Sequence, residues 1–406
     1  MRVVWWTAAS AVTVVLGMAQ PASAQSLTLS EAIARARARA PEAVAALARV
    51  DEARARLLGA TTRFRDNPVL DFDLGPRNGG GQQTWDYAVG FGQRFETGGQ
   101  RGARIAAAEA DIVATQATAD ETARLITREV AFAYVRVAAA SERIRLLTAA
   151  ESVADTLRTA TERRYQLGDV AALDLNLTTI AAARARAERA RAEGERDDAL
   201  RPLRTLLGLE ARGSIALADG IDRQPAAETV LLAALVQSQV IRRTDAALAQ
   251  ARAEFTLGHG MSRPDVAPRL SFSREQDDHI LLGGLSITLP LFDRGQATSA
   301  EADARIRRLT QERAATLRAL ELEVIGGLSA YARKQSAVEE LRDRALPAVA
   351  DNESLATRSL EAGEINLLNF LLVRQDVLAT RLAYVEAQLD AALAAIDVDA
   401  TAGVLR

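Results

Sequence analysis

From Gln100 to Leu167 the chain contains no proline and a single glycine, Gly102. A stretch so free of breakers and so rich in Ala, Arg, Glu and Leu is committed to helix. At ~1.5 Å per residue it makes a rod of about 100 Å, far beyond the roughly three turns of an average globular helix. Its apolar stripe, Leu125, Val130, Tyr134, Ala138, Leu146, Leu147, Val153 and Leu157, is narrow. Such a stripe stabilises little unless other helices lie along it. Gly168 predicts a stop, and residues 171–207 predict a helix that turns back.

The chain repeats this plan. Asn67-Pro68-Val69-Leu70 is matched by Ala267-Pro268-Arg269-Leu270, and Phe95 to Gln100 by Leu291 to Gln296. Tyr134 is matched by Tyr331, and Tyr165 to Val170 by Leu360 to Ile365. Landmarks in one order at nearly one spacing predict two structural repeats, 25–220 and 221–406, with a glycine-rich seam near 208–227. In the first, Thr28 and Glu31 form a capping box for a short helix. Pro41 opens a second helix, which runs to about Phe64. In the second, a helix over 228–257 precedes a long one over 297–362, interrupted by Pro347, and a last one ends near residue 400.

Between the helices the pattern changes to period two. Trp85, Tyr87, Val89, Phe91 and Phe95 alternate with Asp86, Ala88, Gly90, Gly92 and Arg94. Leu285, Ile287, Leu289 and Leu291 alternate with Ser286, Thr288 and Pro290. Strands are expected at about 68–74, 85–95, 268–274 and 280–292, with Asn78-Gly79-Gly80-Gly81 joining the first two. Trp85, Tyr87, Val89, Phe91, Leu285, Ile287 and Leu289 are the candidate lipid-facing residues. Four strands cannot close a barrel of at least 8. Open sheet edges are not tolerated in lipid, so such strands imply several chains pooling one barrel. The other reading of the same alternation is a small sheet packed on the helices of a soluble periplasmic coiled-coil scaffold or adaptor.

Residues 1–24 read as a secretory signal peptide: Arg2, an apolar Val3 to Ala19, and the small-residue cleavage pattern Ala22-Ser23-Ala24. The chain has 50 basic against 53 acidic residues, no cysteine and two histidines. That balance opposes nucleic-acid binding, and the missing cysteine removes disulfides, thiolate metal sites and cysteine-borne lipid. No nucleophile–base set and no cofactor fingerprint is present, so no enzyme, catalytic residue, cofactor or bound metal is expected. His259 and His279 read as surface loop residues. Gly98-Gly99-Gln100-Arg101-Gly102 lacks the spacing of a phosphate loop and reads as a tight turn from strand to helix. Arg184, Arg186, Arg189 and Arg191 read as a solvated face with i,i+4 partners such as Glu188 and Glu193.

The two repeats, Asn67-Pro68, Glu96-Thr97-Gly98-Gly99-Gln100-Arg101 and Pro290-Leu291-Phe292-Asp293-Arg294-Gly295 resemble the TolC-like outer-membrane efflux proteins. The Phe95 to Gly102 segment is most similar to their heavy-metal (cobalt–zinc–cadmium type) branch. The resemblance implies a mixed α/β membrane protein: very long coiled-coil helices forming a periplasmic tunnel, with four strands per chain in a shared 12-stranded barrel of a homotrimer. It implies a passive exit duct of a tripartite efflux pump in the outer membrane, with a periplasmic adaptor (membrane fusion protein) and an inner-membrane, proton-driven transporter as partners. By position, Leu167, Gly168, Asp169, Ala362, Gly363 and Glu364 are the adaptor-docking tips. Asp174, Asn369, Leu372 and Asp376 fall in the periplasmic gate region. Asn369 and Leu372 stand where the family often has acids.

Overall fold

The computed structural model describes residues 26–79, 82–210, 215–276 and 278–405. The expected leader, residues 1–24, lies outside them, as do Gly80, Gly81 and Gly213. The chain runs α1 (Leu29–Arg39), α2 (Pro41–Thr61), β1 (Val69–Gly79), β2 (Gln82–Gly92), α3 (Gln100–Gln166) and α4 (Ala172–Leu207). It continues with α5 (Glu228–Leu235), α6 (Gln239–Gly260), β3 (Asp265–Glu275), β4 (Asp278–Thr288) and α7 (Gln296–Glu340). A π-helical turn (Leu341–Ala345), α8 (Leu346–Glu361) and α9 (Leu367–Ala402) complete it. The expected fold class holds: very long helices with four strands.

Local chemistry explains most boundaries. The Thr28 side chain accepts from the Glu31 amide, and the Glu31 carboxylate accepts from the Thr28 amide at 2.9 Å. The α3 rod is continuous over 67 residues. Its counterpart is divided into three, because Pro347 has no N–H to give and its ring crowds the carbonyl one turn back. The backbone absorbs this in the π turn just before α8. The single helix expected over 228–257 is instead two. Ser238 breaks it with an extended backbone and accepts from the Ile241 amide as the N-cap of α6.

The main core lies midway along the rods, where Ile33, Val130, Tyr134, Leu203, Leu207 and Ile396 meet from α1, α3, α4 and α9. Tyr134 is fully buried. Its hydroxyl donates to the Leu27 carbonyl at 2.7 Å and accepts from the Asp219 amide at 3.0 Å. Burial pushes the phenol pKa up, so the donor is kept. Leu27 also bridges Leu217 in parallel, so one phenol ties residue 27 to the segment around 217–219. Tyr331 is only half-buried and reaches Gln335 at 3.5 Å. A second core joins Leu231, Leu235, Ile241, Val324 and Val398.

The strands form one antiparallel sheet in the order β1-β2-β3-β4. They are longer or shifted relative to the expected spans. β1 continues through Gly75 and Pro76, which an edge strand tolerates because the missing N–H faces no ladder there. β2 begins three residues earlier, at Gln82, and ends at Gly92, leaving Phe95 as an isolated bridge to Val266. β3 spans Asp265–Glu275 and contains Pro268, which lies just outside the β2–β3 ladder of Arg269 to Arg274. β4 stops at Thr288, before Pro290, so Leu289 follows the strand.

Candidate functional site

The register places the strand residues on two unlike faces. Leu70 pairs with Phe91, Phe72 with Val89, Leu74 with Tyr87 and Pro76 with Trp85. Across β2, Phe91 faces Leu270 and Val89 faces Phe272, and β3 brings Leu281, Leu285 and Ile287 of β4 to the same side. The expected lipid-facing residues Trp85, Tyr87, Val89, Phe91, Leu285 and Ile287 therefore share one face, joined there by β1 and β3 residues. That face is exposed: Leu70 is 71% accessible, Phe72 66%, Trp85 60% and Leu281 67%. A contiguous apolar surface of this extent marks an interaction with something apolar. The opposite face carries Asp71, Asp73, Asp86, Arg269, Ser271, Ser273 and Glu275. Arg77 spans it, 2.6 Å from both Asp86 and Glu275. Both outer strands, β1 and β4, leave free edges.

The junctions from sheet to rods are built alike. Gly99 and Gly295 hold left-handed backbone (φ 77° and 72°) as the N-caps of α3 and α7. Behind each, a glutamine side chain folds back: Gln100 accepts from the Gly98 amide at 2.6 Å and Gln296 from the Arg294 amide at 2.5 Å. The glycine segment is thus a turn, as its spacing implies. At the second junction α6 passes so close that a Cβ on Gly295 would collide with the Gly258 carbonyl oxygen.

At the far ends of the rods the two helix hairpins turn identically. Gly168 (φ 83°) donates to the Tyr165 carbonyl and Asp169 to that of Arg164. Gly363 (φ 77°) donates to Leu360 and Glu364 to Ser359. Both are Schellman closures, which require the left-handed residue. Leu167 is 77% exposed, and neither glycine has an atom near its missing Cβ. Asp169, Ala362 and Glu364 are exposed beside them.

Of the gate-region residues, Asp174 is half-buried in the first turn of α4. Asn369, Leu372 and Asp376 are exposed on α9, where Asn366 caps the helix through the Asn369 amide at 2.9 Å. Just inside the tips α3, α4 and α9 enclose an apolar cleft of about 340 Å³ lined by Val153, Leu157, Ile180 and Leu378. Arg374 and Arg381 at its border both bind Glu353 of α8, Arg381 at 2.5 Å. This α8–α9 clasp has no short-range sequence signal, since its members lie 21 and 28 residues apart.

Arg186 and Arg189 bind across to α3 rather than mainly along their own helix. Arg186 reaches Asp155 at 2.5 Å, and Arg189 reaches Glu151 at 2.7 Å against 3.6 Å to Glu193. They hold the hairpin together rather than forming only a solvated face. His259 lies 3.2 Å from the Ser299 hydroxyl, and the His279 ring stacks on Phe272. Among the described residues no cluster of three metal-ligating side chains occurs, and no helix is long and apolar enough to cross a membrane.

Residues 32–209 match the family described as outer membrane efflux protein. The cobalt-zinc-cadmium resistance protein CzcC of Cupriavidus metallidurans is 26% identical over 298 residues, 71% of this chain and 70% of that protein. The fold matches the open state of the Neisseria gonorrhoeae MtrE outer membrane channel, with TM-score 0.74, 19% identity, and 93% and 89% of the two chains covered. It also matches the outer membrane protein VceC of Vibrio cholerae, with TM-score 0.72, 18% identity, and 92% and 96% covered. Residues 32–209 are thus similar in sequence to the outer membrane efflux proteins, and over nearly its whole length the chain has the fold of the outer membrane channels.

Proposed function

We propose that the protein is the exit channel of a tripartite efflux pump, a passive duct rather than an enzyme. The observation that carries this reading is the sheet: one mainly apolar exposed face, one face that carries the carboxylates, and two free edges. Lipid requires every strand edge to be paired. Three copies of a four-stranded sheet satisfy that requirement in a closed twelve-stranded barrel, apolar outward and polar inward. The rods then extend into the periplasm as a tunnel, and residues 1–24 serve as the leader that exports the chain. The two halves are tandem repeats of one plan.

In this reading the tips Leu167-Gly168-Asp169 and Ala362-Gly363-Glu364 dock the periplasmic adaptor. The adaptor links them to an inner-membrane, proton-driven transporter. Conduction is gated near Asp174, Asn369, Leu372 and Asp376, beside the cleft that α3, α4 and α9 line. Adaptor contacts favour the dilated arrangement by binding it better. Heavy-metal cations are the proposed cargo, supported by the likeness to a cobalt-zinc-cadmium resistance protein. The chain has no cysteine and, beyond the leader, only Met261 as methionine. Choice of a soft metal therefore falls to the pump.

The absence of cysteine permits a direct test. A single Leu167→Cys or Glu364→Cys, labelled with a photo-crosslinker in the native host, should capture the adaptor. Leu322→Cys, midway along α7, should not. Equal capture at all three positions, or none at the tips, would overturn the docking assignment.

A further inference from the structure

Among the described strand residues, the apolar face of the sheet carries one pair of Arg and His side chains, and it lies at a single level. Arg274 of β3 and His279 of β4 are directly opposite each other in the ladder. Tyr87 faces Arg274 from the other side, and Leu74 completes the row. The row below consists of Phe72, Val89, Phe272 and Leu281, and His279 stacks on Phe272 with ring centroids 5.8 Å apart. Above it, toward the two turns, stands Trp85 opposite Pro76. Arg274 and His279 are both exposed.

No carboxylate shares that face among the described strand residues. Glu275 and Asp278 pair with each other in register on the opposite side, where Arg77 holds Glu275 at 2.6 Å. Asp277, in the turn, lies outside the described residues. Among the described residues the Arg274 side chain makes one hydrogen bond, from Nε to the Gln276 carbonyl at 3.3 Å. Its two terminal nitrogens therefore have no protein partner among the described residues. A guanidinium uses such a fork to bind phosphate.

The level of the pair identifies the partner. From Trp85 to Phe95, where the Phe95–Val266 bridge carries the register past the end of β2, the extended chain covers about 33 Å at ~3.3 Å per residue, or about 25 Å of depth at a barrel tilt near 40°. That depth is the height of the apolar band between two aromatic girdles. Phe95 lies at the helix end, edge-on to Phe64 at 5.3 Å. Tyr87 and Trp85 lie at the turn end, away from the rods and so on the outer leaflet. Arg274 and His279 lie level with Tyr87, within the outer girdle at the rim of the band, where long polar-tipped side chains snorkel to lipid head groups.

We propose that Arg274 and His279 bind the phosphate of an anionic outer-leaflet lipid, seating one phosphorylated head group on each sheet. The proposal rests on the reading that this face meets lipid. To test it, the detergent-purified trimer is returned to phosphatidylcholine vesicles doped with phosphorylated lipid A or with its dephosphorylated form. It is then re-extracted, and retained glycolipid is counted by native mass spectrometry. The wild type should retain the phosphorylated form at least about tenfold more than the other. R274Q/H279Q should abolish that preference, and R269Q, on the opposite face, should keep it. Tens of millimolar inorganic phosphate should leave the lipid bound.

Equal retention of the two lipids, or an unchanged preference in R274Q/H279Q, overturns this inference alone. Displacement by inorganic phosphate marks a site for free phosphate and overturns the lipid assignment. A wild-type protein that never enters vesicles overturns the barrel reading and this inference with it.

Discussion

Val89 and Ala88 are adjacent in β2 and face opposite sides of the sheet, so a pair of arginine substitutions isolates the meaning of the alternation. Val89 lies between Phe72 and Phe272 on the apolar face. It is four residues from Trp85 and six from Phe95, near the middle of the proposed apolar band. An arginine at the midplane of a barrel costs about 2–4 kcal/mol. At about 1.4 kcal/mol per decade this is roughly a 30- to 700-fold penalty per chain. Three copies raise the cost to about 6–12 kcal/mol, comparable with the whole stability of an ordinary domain. Ala88 lies between Asp73 and Ser273 on the charged face, where a new guanidinium meets a carboxylate. Its cost should stay under about 1 kcal/mol. Assembly is read as the heat-modifiable oligomer in outer-membrane fractions, compared with total protein. Val89→Arg should nearly abolish it, and Ala88→Arg should leave most of it. Equal loss in both, or normal assembly of Val89→Arg, would refute the assignment of the faces.

Three further outcomes follow from local geometry. Gly295→Ala and Gly99→Ala meet nearly the same left-handed φ, but only Gly295 faces a carbonyl. The first should cost roughly 2–4 kcal/mol and the second about 1, so thermal melts of the detergent-extracted protein that rank them equally would contradict the close approach at Gly258. Tyr134→Phe removes a donor from Leu27 and leaves the Asp219 amide without its acceptor, costing about 1–3 kcal/mol. Faster proteolysis near residue 27 is the expected sign. Asp399 is held above the usual carboxylate range by burial, partly offset by the Ala226 amide at 2.9 Å. Folding then takes up a proton. The group's contribution is fully present below the ordinary carboxylate pKa and is lost as pH rises through the elevated one. Asp399→Asn should therefore raise Tm at neutral pH more than at about pH 4, and a constant difference between the two would contradict the shift.

Much of this architecture was legible because long-range order left short-range marks. The α3 rod was visible as a proline-free run, α1 as a capping box and both hairpin tips as glycines. The alternation of Trp85, Tyr87, Val89 and Phe91 was readable because a strand's two faces meet different media. The strand ends were not, since Gly75 and Pro76 suggest a loop and only the edge position of β1 makes them acceptable in a strand. On β4 Leu285 and Ile287 were readable in the same way, while Gly283 and Gly284 hid the continuation of that face to Leu281 and His279. Ser238 divides α6 from α5 inside an apolar run, where a cap signal is easily missed. Arg186 and Arg189 of α4 carry no mark that they bind α3, nor does Glu353 that it binds α9. Those pairs depend on how rods lie against each other, which a local pattern does not encode.

The most direct test of the central claim is the mass of the native protein extracted by detergent from fractionated membranes. The account predicts that it leaves with the outer-membrane fraction at three times the mass of one chain plus bound detergent. A soluble periplasmic monomer or dimer would contradict it, and the apolar face of the sheet would then need a protein partner instead of lipid.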